Sequence, residues 1–195
     1  MEELIDKAKK GNKDSFTKLM LMVEKELYHI AKARLKNDDD VYDAIQETIM
    51  IAYKNIEKLK EKKYFKTWII RILINETNLI YKKNKKTNLI PFEETIYVQG
   101  MNSQCIERAD VKLDFNFICN KLKEEDRTII IMYYMERFTD KEIGKILNLK
   151  VNTIKTKKIR AIQKIKNILE KGRYSNGWYR KKIISRLKRR NRNTR

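Results

Sequence analysis

Three groups of side chains in this chain combine residue types and spacings that can do chemistry. The first is a run of cations and hydroxyls, Thr153, Lys155, Thr156, Lys157, Lys158 and Arg160, in FTDKEIGKILNLKVNTIKTKKIRAIQKIKNIL at 138–169. Ammonium and guanidinium groups bond phosphate oxygens and guanine edges. The second interleaves cations with amides: Lys63, Lys66, Arg71, Asn75, Asn78, Lys82 and Lys83, with Tyr64 and Trp68 as aromatic faces on which an unpaired base could stack. The third is acidic, Asp38, Asp39, Asp40, Asp43 and Glu47, at the start of NDDDVYDAIQETIMIAYKNI at 37–56. Clustered carboxylates could hold a metal ion. At a helix start they more commonly satisfy free backbone N–H groups and the helix dipole. Bond-making chemistry has no comparable set: His29 is the only histidine and no HExxH or P-loop occurs, so an enzyme acting on nucleic acid is disfavoured.

The elements that must position these groups read as helices. In 37–56, Val41, Ala44, Ile45, Thr48, Ile49, Ala52, Tyr53 and Ile56 recur at three- and four-residue spacing, one buried stripe, with Asp40 as the N-cap and Asp43 at the third helical position. The opposite face carries Tyr42, Asp43, Gln46, Glu47, Met50 and Lys54, which is either solvated or an interaction surface. A second helix over 60–86 turns Phe65, Trp68, Ile69, Ile72 and either Ile80 or Tyr81 inward. Trp68 belongs to the core by its spacing, which leaves Tyr64 as the stacking candidate. Thr139 and Glu142 form a T-x-x-E capping box for a short helix with Ile143, Ile146 and Leu147 inward. Asn148 to Val151 make a turn, Asn152 caps the next helix, and Ile154, Ala161 and Ile165 are its buried side. Gly144 suits a close helix crossing. A short helix, a turn and a long basic helix is the layout of a helix-turn-helix that reads a major groove, and it also occurs in structural bundles.

The 46 Lys and Arg against 26 Asp and Glu give a formal charge of +20, unevenly spread: +6 over 1–86, −3 over 87–110, +7 over 111–171 and +10 over 172–195. Four of the six Gly and Pro residues, Pro91, Gly100, Gly172 and Gly177, fall in the middle or tail stretches. The expected fold is therefore all-α: two small helical domains, 1–86 and 111–171, joined by a flexible linker at 87–110 and followed by a basic tail at 172–195. A composition 42% hydrophobic and 37% charged supports a core and excludes wholesale disorder. No apolar run approaches the roughly 18 residues of a membrane span, and the N-terminus lacks a signal-peptide layout, so a cytoplasmic location is expected. Cys105 and Cys119 read as reduced thiols, with no zinc site, other metal or cofactor implied.

Taken together, the two motifs, their order and the stretch between them resemble the extracytoplasmic-function branch of the bacterial sigma-70 family, over nearly all of 1–170. DVYDAIQETIMIAYKNI is similar to that family's polymerase-binding helix of region 2, FKTWIIRILIN to its F-x-x-W segment, and EEDRTIIIMYYMERFTDKEIGKILNLKVNTIKTKKIRA to region 4. The resemblance implies an alternative sigma factor, acting in a stress or cell-envelope response, that binds the RNA polymerase core and directs it to promoter DNA. By position, Asp43, Gln46 and Glu47 would face the polymerase clamp helices. Lys63, Tyr64, Lys66, Arg71, Asn75, Lys82 and Lys83 would meet the −10 element. Asn152, Thr153, Lys155, Thr156, Lys157 and Arg160 would read the −35 element. It also implies that the acidic linker threads the cationic RNA exit path, and that an anti-sigma factor, soluble or membrane-bound, is a partner; no small-molecule substrate is implied.

Two positions depart from the family pattern. Leu79 stands where an Asp often follows the motif Asn75, and Lys158 stands where an apolar residue follows Ile154, so that Ile159 or Ile162 would take over its packing. The tail places Tyr179, Ile183 and Leu187 at four-residue spacing, with Trp178 and Ile184 flanking. It is open between a solvated tail, a DNA-backbone arm and a segment docking on an anionic membrane surface. The competing function is a stand-alone helix-turn-helix regulator on paired half-sites, which has no use for the 41–56 helix.

Overall fold

A computed structural model describes residues 1–87 and 118–171 together with Ser185, and among these every regular element is helical. Cys105, the expected linker at 87–110 and the tail at 172–195 with its Trp178, Tyr179, Ile183, Ile184 and Leu187 lie outside the described residues, Thr87 and Ser185 excepted. The helices are α1 (Glu2–Lys9), α2 (Lys13–Arg34), α3 (Asp38–Asn55), α4 (Phe65–Thr87), α5 (Glu124–Ile130), α6 (Asp140–Leu147) and α7 (Val151–Lys171). Two 3-10 turns, Ile56–Lys58 and Lys62–Tyr64, join α3 to α4, and α5 runs on into a π-helical turn, Ile131–Met135.

Helix α2 is the centre of the packing. Asn12 caps it, its side chain accepting from the Ser15 N–H at 2.8 Å. Phe16, Leu19, Met20, Val23, Leu27, Ile30 and Ala31 then make a buried stripe at three- and four-residue spacing. Against it lie α1, α3 and α4 from the N-terminal part and α5 with its π turn from the C-terminal part. Each large side chain in that stripe contributes about 1.5–3 kcal/mol of burial.

Helix α3 begins three residues earlier than the acidic pattern implies. Its N-cap is Asn37, whose side chain accepts from the Asp39 N–H at 3.1 Å, so Asp38, Asp39 and Asp40 fill the first turn, where the dipole favours negative charge. Asp40 is therefore not the cap; its carboxylate accepts from Asn84 of α4 at 2.7 Å. Asp43 accordingly lies in the second turn rather than at the third position. Val41, Ala44, Thr48, Ala52 and Ile56 are buried as expected, and Ile45 and Ile49 are half-buried. Tyr53 lies at the stripe's edge, 44% exposed, its ring edge-on to Phe16 at 5.0 Å. In α4 the core side is Phe65, Ile69, Ile70, Leu73, Ile74 and Thr77, with Trp68, Ile72 and Ile80 partly buried. Tyr81 is half exposed, so the alternative between Ile80 and Tyr81 resolves to Ile80. The α-helix starts at Phe65, because 62–64 form the 3-10 turn.

The helix-turn-helix forms with its capping box complete: the Thr139 N–H donates to Glu142 at 2.8 Å, and the Glu142 N–H donates to the Thr139 hydroxyl at 3.2 Å. Asn148 ends α6 in the left-handed region at φ 54°. The turn closes at Lys150, whose carbonyl accepts the Ile154 N–H at 3.1 Å. Asn152 is consequently the second residue of α7 and not its cap; its carbonyl accepts the Thr156 hydroxyl at 2.9 Å. A Cβ on Gly144 would lie 2.8 Å from the Leu149 carbonyl oxygen, so it is the backbone of the turn that demands glycine here. Lys158 is a larger correction, since it is buried rather than exposed. Its ammonium is 2.7 Å from Asp140 and 3.5 Å from the Tyr133 ring centroid, while Ile159 points outward at 65% exposure and only Ile162 packs. The lysine stem is apolar enough to sit where the pattern the chain resembles has an apolar residue, and its charge meets a carboxylate and an aromatic face. Cys119 is a buried free thiol, which burial pushes up to about 12 despite the opposing pull of Arg127.

Removing one partner of a buried ion pair strands the other charge. Lys158→Ala is expected to cost about 3 kcal/mol in urea unfolding. Lys158→Met combined with Asp140→Asn is expected to recover most of it, and a cost near zero for the single change would contradict the buried pairing. Gly144→Ala is expected to destabilise by about 1–3 kcal/mol through displacement of the turn.

Candidate nucleic-acid interface

The exposed face of α7 carries Asn152, Lys155, Thr156 and Arg160, with Thr153 and Lys157 half-exposed beside them. Ile154, Ala161, Ile165 and Leu169 anchor the opposite side in the core, and α6 packs across its N-terminal half. That arrangement holds the first turns of a basic helix outward on a rigid support, as groove reading needs. The cations are not equivalent. Lys155 and Arg160 have no hydrogen-bonding or ionic partner among the described residues, whereas Lys157 is ion-paired with Glu125 of α5. Lys158 leaves the set for the core.

The second group divides in two. Arg71, Asn75 and Lys82 lie exposed along one stripe of α4, at positions that continue through Asn78. Lys83 is exposed next to them. At the other end, Lys63, Tyr64 and Lys66 cluster around the 3-10 turn. Lys63 pairs with Glu61 at 3.3 Å and sits 5.1 Å from the Tyr64 ring centroid, and these contacts hold its pKa above the ordinary lysine value. Lys66 bonds Glu26 of α2 at 2.6 Å. Tyr64 is 40% exposed, and the ammonium of Lys145 from α6 lies 4.8 Å over its ring.

On α3, Asp43, Gln46 and Glu47 are all exposed and flanked by Tyr42 and Met50, a polar face edged by large apolar side chains. Glu76 of α4 extends it: partial burial, then the nearby Glu47 carboxylate, raises its pKa above the ordinary range. Nothing in the local pattern marks Glu76, because its proximity to Glu47 arises from the packing of α3 on α4.

Arg34, in the last turn of α2, also escapes sequence reading. Its Nε donates to the Thr77 hydroxyl at 2.8 Å and its Nη2 to the Asn78 side chain at 2.6 Å, on the α4 stripe that carries Arg71, Asn75 and Lys82. The same Nη2 lies 2.9 Å from Glu124 of α5. Burial lowers its pKa, opposed by Glu124 and Glu125. No group of three or more His, Cys, Asp or Glu residues that could hold a metal occurs among the described residues, and no described helix is long and apolar enough to cross a membrane.

Comparisons with known proteins give the same two-part reading. The Sigma-70 region 2 family matches residues 19–87 and the Sigma-70, region 4 family matches 120–167. The chain is similar to the ECF RNA polymerase sigma factor SigW of Bacillus subtilis, 29% identical over 168 residues that cover 80% of this chain and 90% of that one. It is also similar to the RNA polymerase sigma factor SigV of the same organism, 28% identical over 140 residues, covering 72% and 82%. Its fold matches that of the sigma factor RpoE solved with the anti-sigma factor NepR from Bartonella quintana, at TM-score 0.65 and 23% identity, covering 81% of this chain and 98% of that one.

The pairing on α7 yields a graded expectation for duplex binding followed by fluorescence anisotropy. Lys155→Ala and Arg160→Ala should each lower the log–log salt slope by about 0.9 where they hold a phosphate, or relax preference at one base pair where they read an edge. Glu125→Gln releases Lys157 and should tighten binding at low salt; weaker binding would show that Glu125 positions Lys157 instead of withholding it.

Proposed function

Because the chain belongs to the extracytoplasmic-function branch of the sigma-70 family, we propose how its surfaces divide the work of an alternative sigma factor, a transcription initiation factor and not an enzyme. Residues 1–86 act as region 2: Asp43, Gln46 and Glu47 on α3 dock on the polymerase core. Lys63, Tyr64, Lys66, Arg71, Asn75, Lys82 and Lys83 contact the −10 element. Residues 111–171 act as region 4, with Asn152, Thr153, Lys155, Thr156, Lys157 and Arg160 at the −35 element, and 87–110 connects the two. The partners are core polymerase and promoter DNA in the cytoplasm, and an anti-sigma factor of the kind found with the related RpoE holds the protein in reserve.

The observation that carries this division is the α3 face. Three adjacent polar side chains are exposed, lack hydrogen-bonding or ionic partners among the described residues, and are bordered by Tyr42 at 60% and Met50 at 45% exposure. Exposed Tyr and Met are residue types enriched at protein interfaces, and the face they border stands on a different helix from the DNA-reading cations. A regulator that binds its operator alone needs only the latter.

Run-off transcription with purified core polymerase and a promoter library tests this reading. The wild-type chain should confer promoter-specific initiation. Asp43→Lys with Glu47→Lys should lower it at least tenfold, about 1.4 kcal/mol or more of lost docking energy, with helicity and duplex binding by α7 unchanged. Operator binding without initiation would replace the sigma reading by that of a stand-alone regulator.

A further inference from the structure

Of the two amides on the α4 stripe, one is held in a fixed orientation. Asn75 is exposed and has no hydrogen-bonding partner among the described residues, so it can turn either end of its amide to a ligand. Asn78, one turn further on and half-exposed, cannot. Its Oδ1 accepts from Arg34 Nη2 of α2 at 2.6 Å, a bond in which the donor carries a charge. A guanidinium has donors only, so the oxygen of Asn78 must face it. The reversed amide would set N–H against N–H and forfeit the charge-assisted bond.

Arg34 is itself held. Its side chain is 9% exposed, its Nε donates to the Thr77 hydroxyl at 2.8 Å, and that hydroxyl donates in turn to the Ile74 carbonyl at 2.9 Å. Thr77 is fully buried, and Glu124 at 2.9 Å balances the guanidinium charge. Arg34, Thr77 and Asn78 all fall within the Sigma-70 region 2 match, and the three bonds lie within or between α2 and α4. What Asn78 has left to offer is its nitrogen, whose two N–H donors have no partner among the described residues. They sit in line with Arg71, Asn75 and Lys82.

Donors fixed in this way sort bases by one feature. Guanine and thymine carry a keto oxygen, O6 or O4, where adenine and cytosine carry an amino group, N6 or N4. A keto oxygen accepts from the Asn78 nitrogen. An amino group meets it donor to donor, which leaves both unpaired. An unrestrained amide makes no such choice, because it turns over and accepts instead.

We propose that Asn78 is a specificity-determining residue of the −10 contact, selecting a keto base over an amino base at one position, and that Arg34 is the positioning residue that fixes its amide. This role rests on the sigma-factor reading. Arg71 and Lys82 beside it offer charge to phosphates, which are the same for every base, so the sorting falls to the amide.

Run-off transcription by core polymerase with the full-length chain, on a promoter library randomised across the −10 element and read by sequencing the transcripts, tests both roles. At the position Asn78 reads, the wild type should favour guanine or thymine over adenine or cytosine by about 5- to 100-fold. Asn78→Ala should abolish that preference, and Asn78→Asp, whose outward oxygen accepts, should turn it toward adenine or cytosine. Both changes should fall on the same position and leave the others as they were. Arg34→Met should relax the preference there and nowhere else, and Arg34→Lys, which keeps a donor for the Asn78 oxygen, should restore it. Circular dichroism checks that each variant is folded; should Arg34→Met lose helicity, the two Asn78 variants decide. A loss uniform across the library would make Asn78 a phosphate ligand and overturn the base contact, as would an unchanged profile. A preference that survives in folded Arg34→Met overturns the positioning role. Initiation by the wild type with a profile blind to Asn78 overturns this role alone, whereas no initiation by the wild type from any library member overturns the sigma reading and this role with it.

Discussion

Burial of the α2 stripe is the constraint on which everything else in this structure rests. Seven apolar side chains from Phe16 to Ala31 must leave water, and no single neighbour covers them. Helices α1, α3 and α4 take part of the stripe, and α5 with its π turn takes another part. The chain thereby joins its two family regions around one core. The polar groups at the ends of α2, His29 and Arg34, come under this demand as well: brought to the seam by the packing, they have to be paired there, and Glu136 and Glu124 do so.

That requirement changes how the large positive charge is understood. Much of it is not free for DNA. Lys62 is bound to Asp6, Lys66 to Glu26, Lys157 to Glu125, Lys158 to Asp140 and Lys164 to Asp126. The positive charge that remains exposed and unpaired in the sequence-identified sets is compact and directional: Arg71 and Lys82 on α4, and Lys155 and Arg160 on α7. Apart from the buried Lys158–Asp140 pair, such exposed pairs add little to stability, so their effect is mainly to decide which cations are available to phosphate. The distinction matters for Lys157, whose chemistry matches that of Lys155 but whose ammonium is already engaged.

Features held within one or two turns were readable from the chain alone. The capping box at Thr139 and Glu142, the buried stripes of α3 and α7, the placement of Phe65 and Ile69, and the need for Gly144 all follow from neighbours a few residues away. The two misplaced caps show the limit even at short range. Asn37 and Asp40 are both good caps, and only the backbone conformation at Asn37 selects it. Asn152 is an equally good cap that goes unused because the turn has already closed at Lys150.

By itself, the sequence determined that the chain is helical, that a helix-turn-helix presents a basic helix, and that an exposed polar face lies on a separate helix. These are properties of periodicity and local hydrogen bonding, which act over three or four residues. Tertiary structure alone decided the fate of the individual charges. Lys158 is buried because Asp140 and Tyr133, distant in the chain, meet around its stem. Arg34 is engaged on both sides because α4 supplies Thr77 and Asn78 and α5 supplies Glu124. A charge is defined by what faces it across a gap of about 3 Å, and for these residues that partner comes from another helix, so no local pattern could carry it.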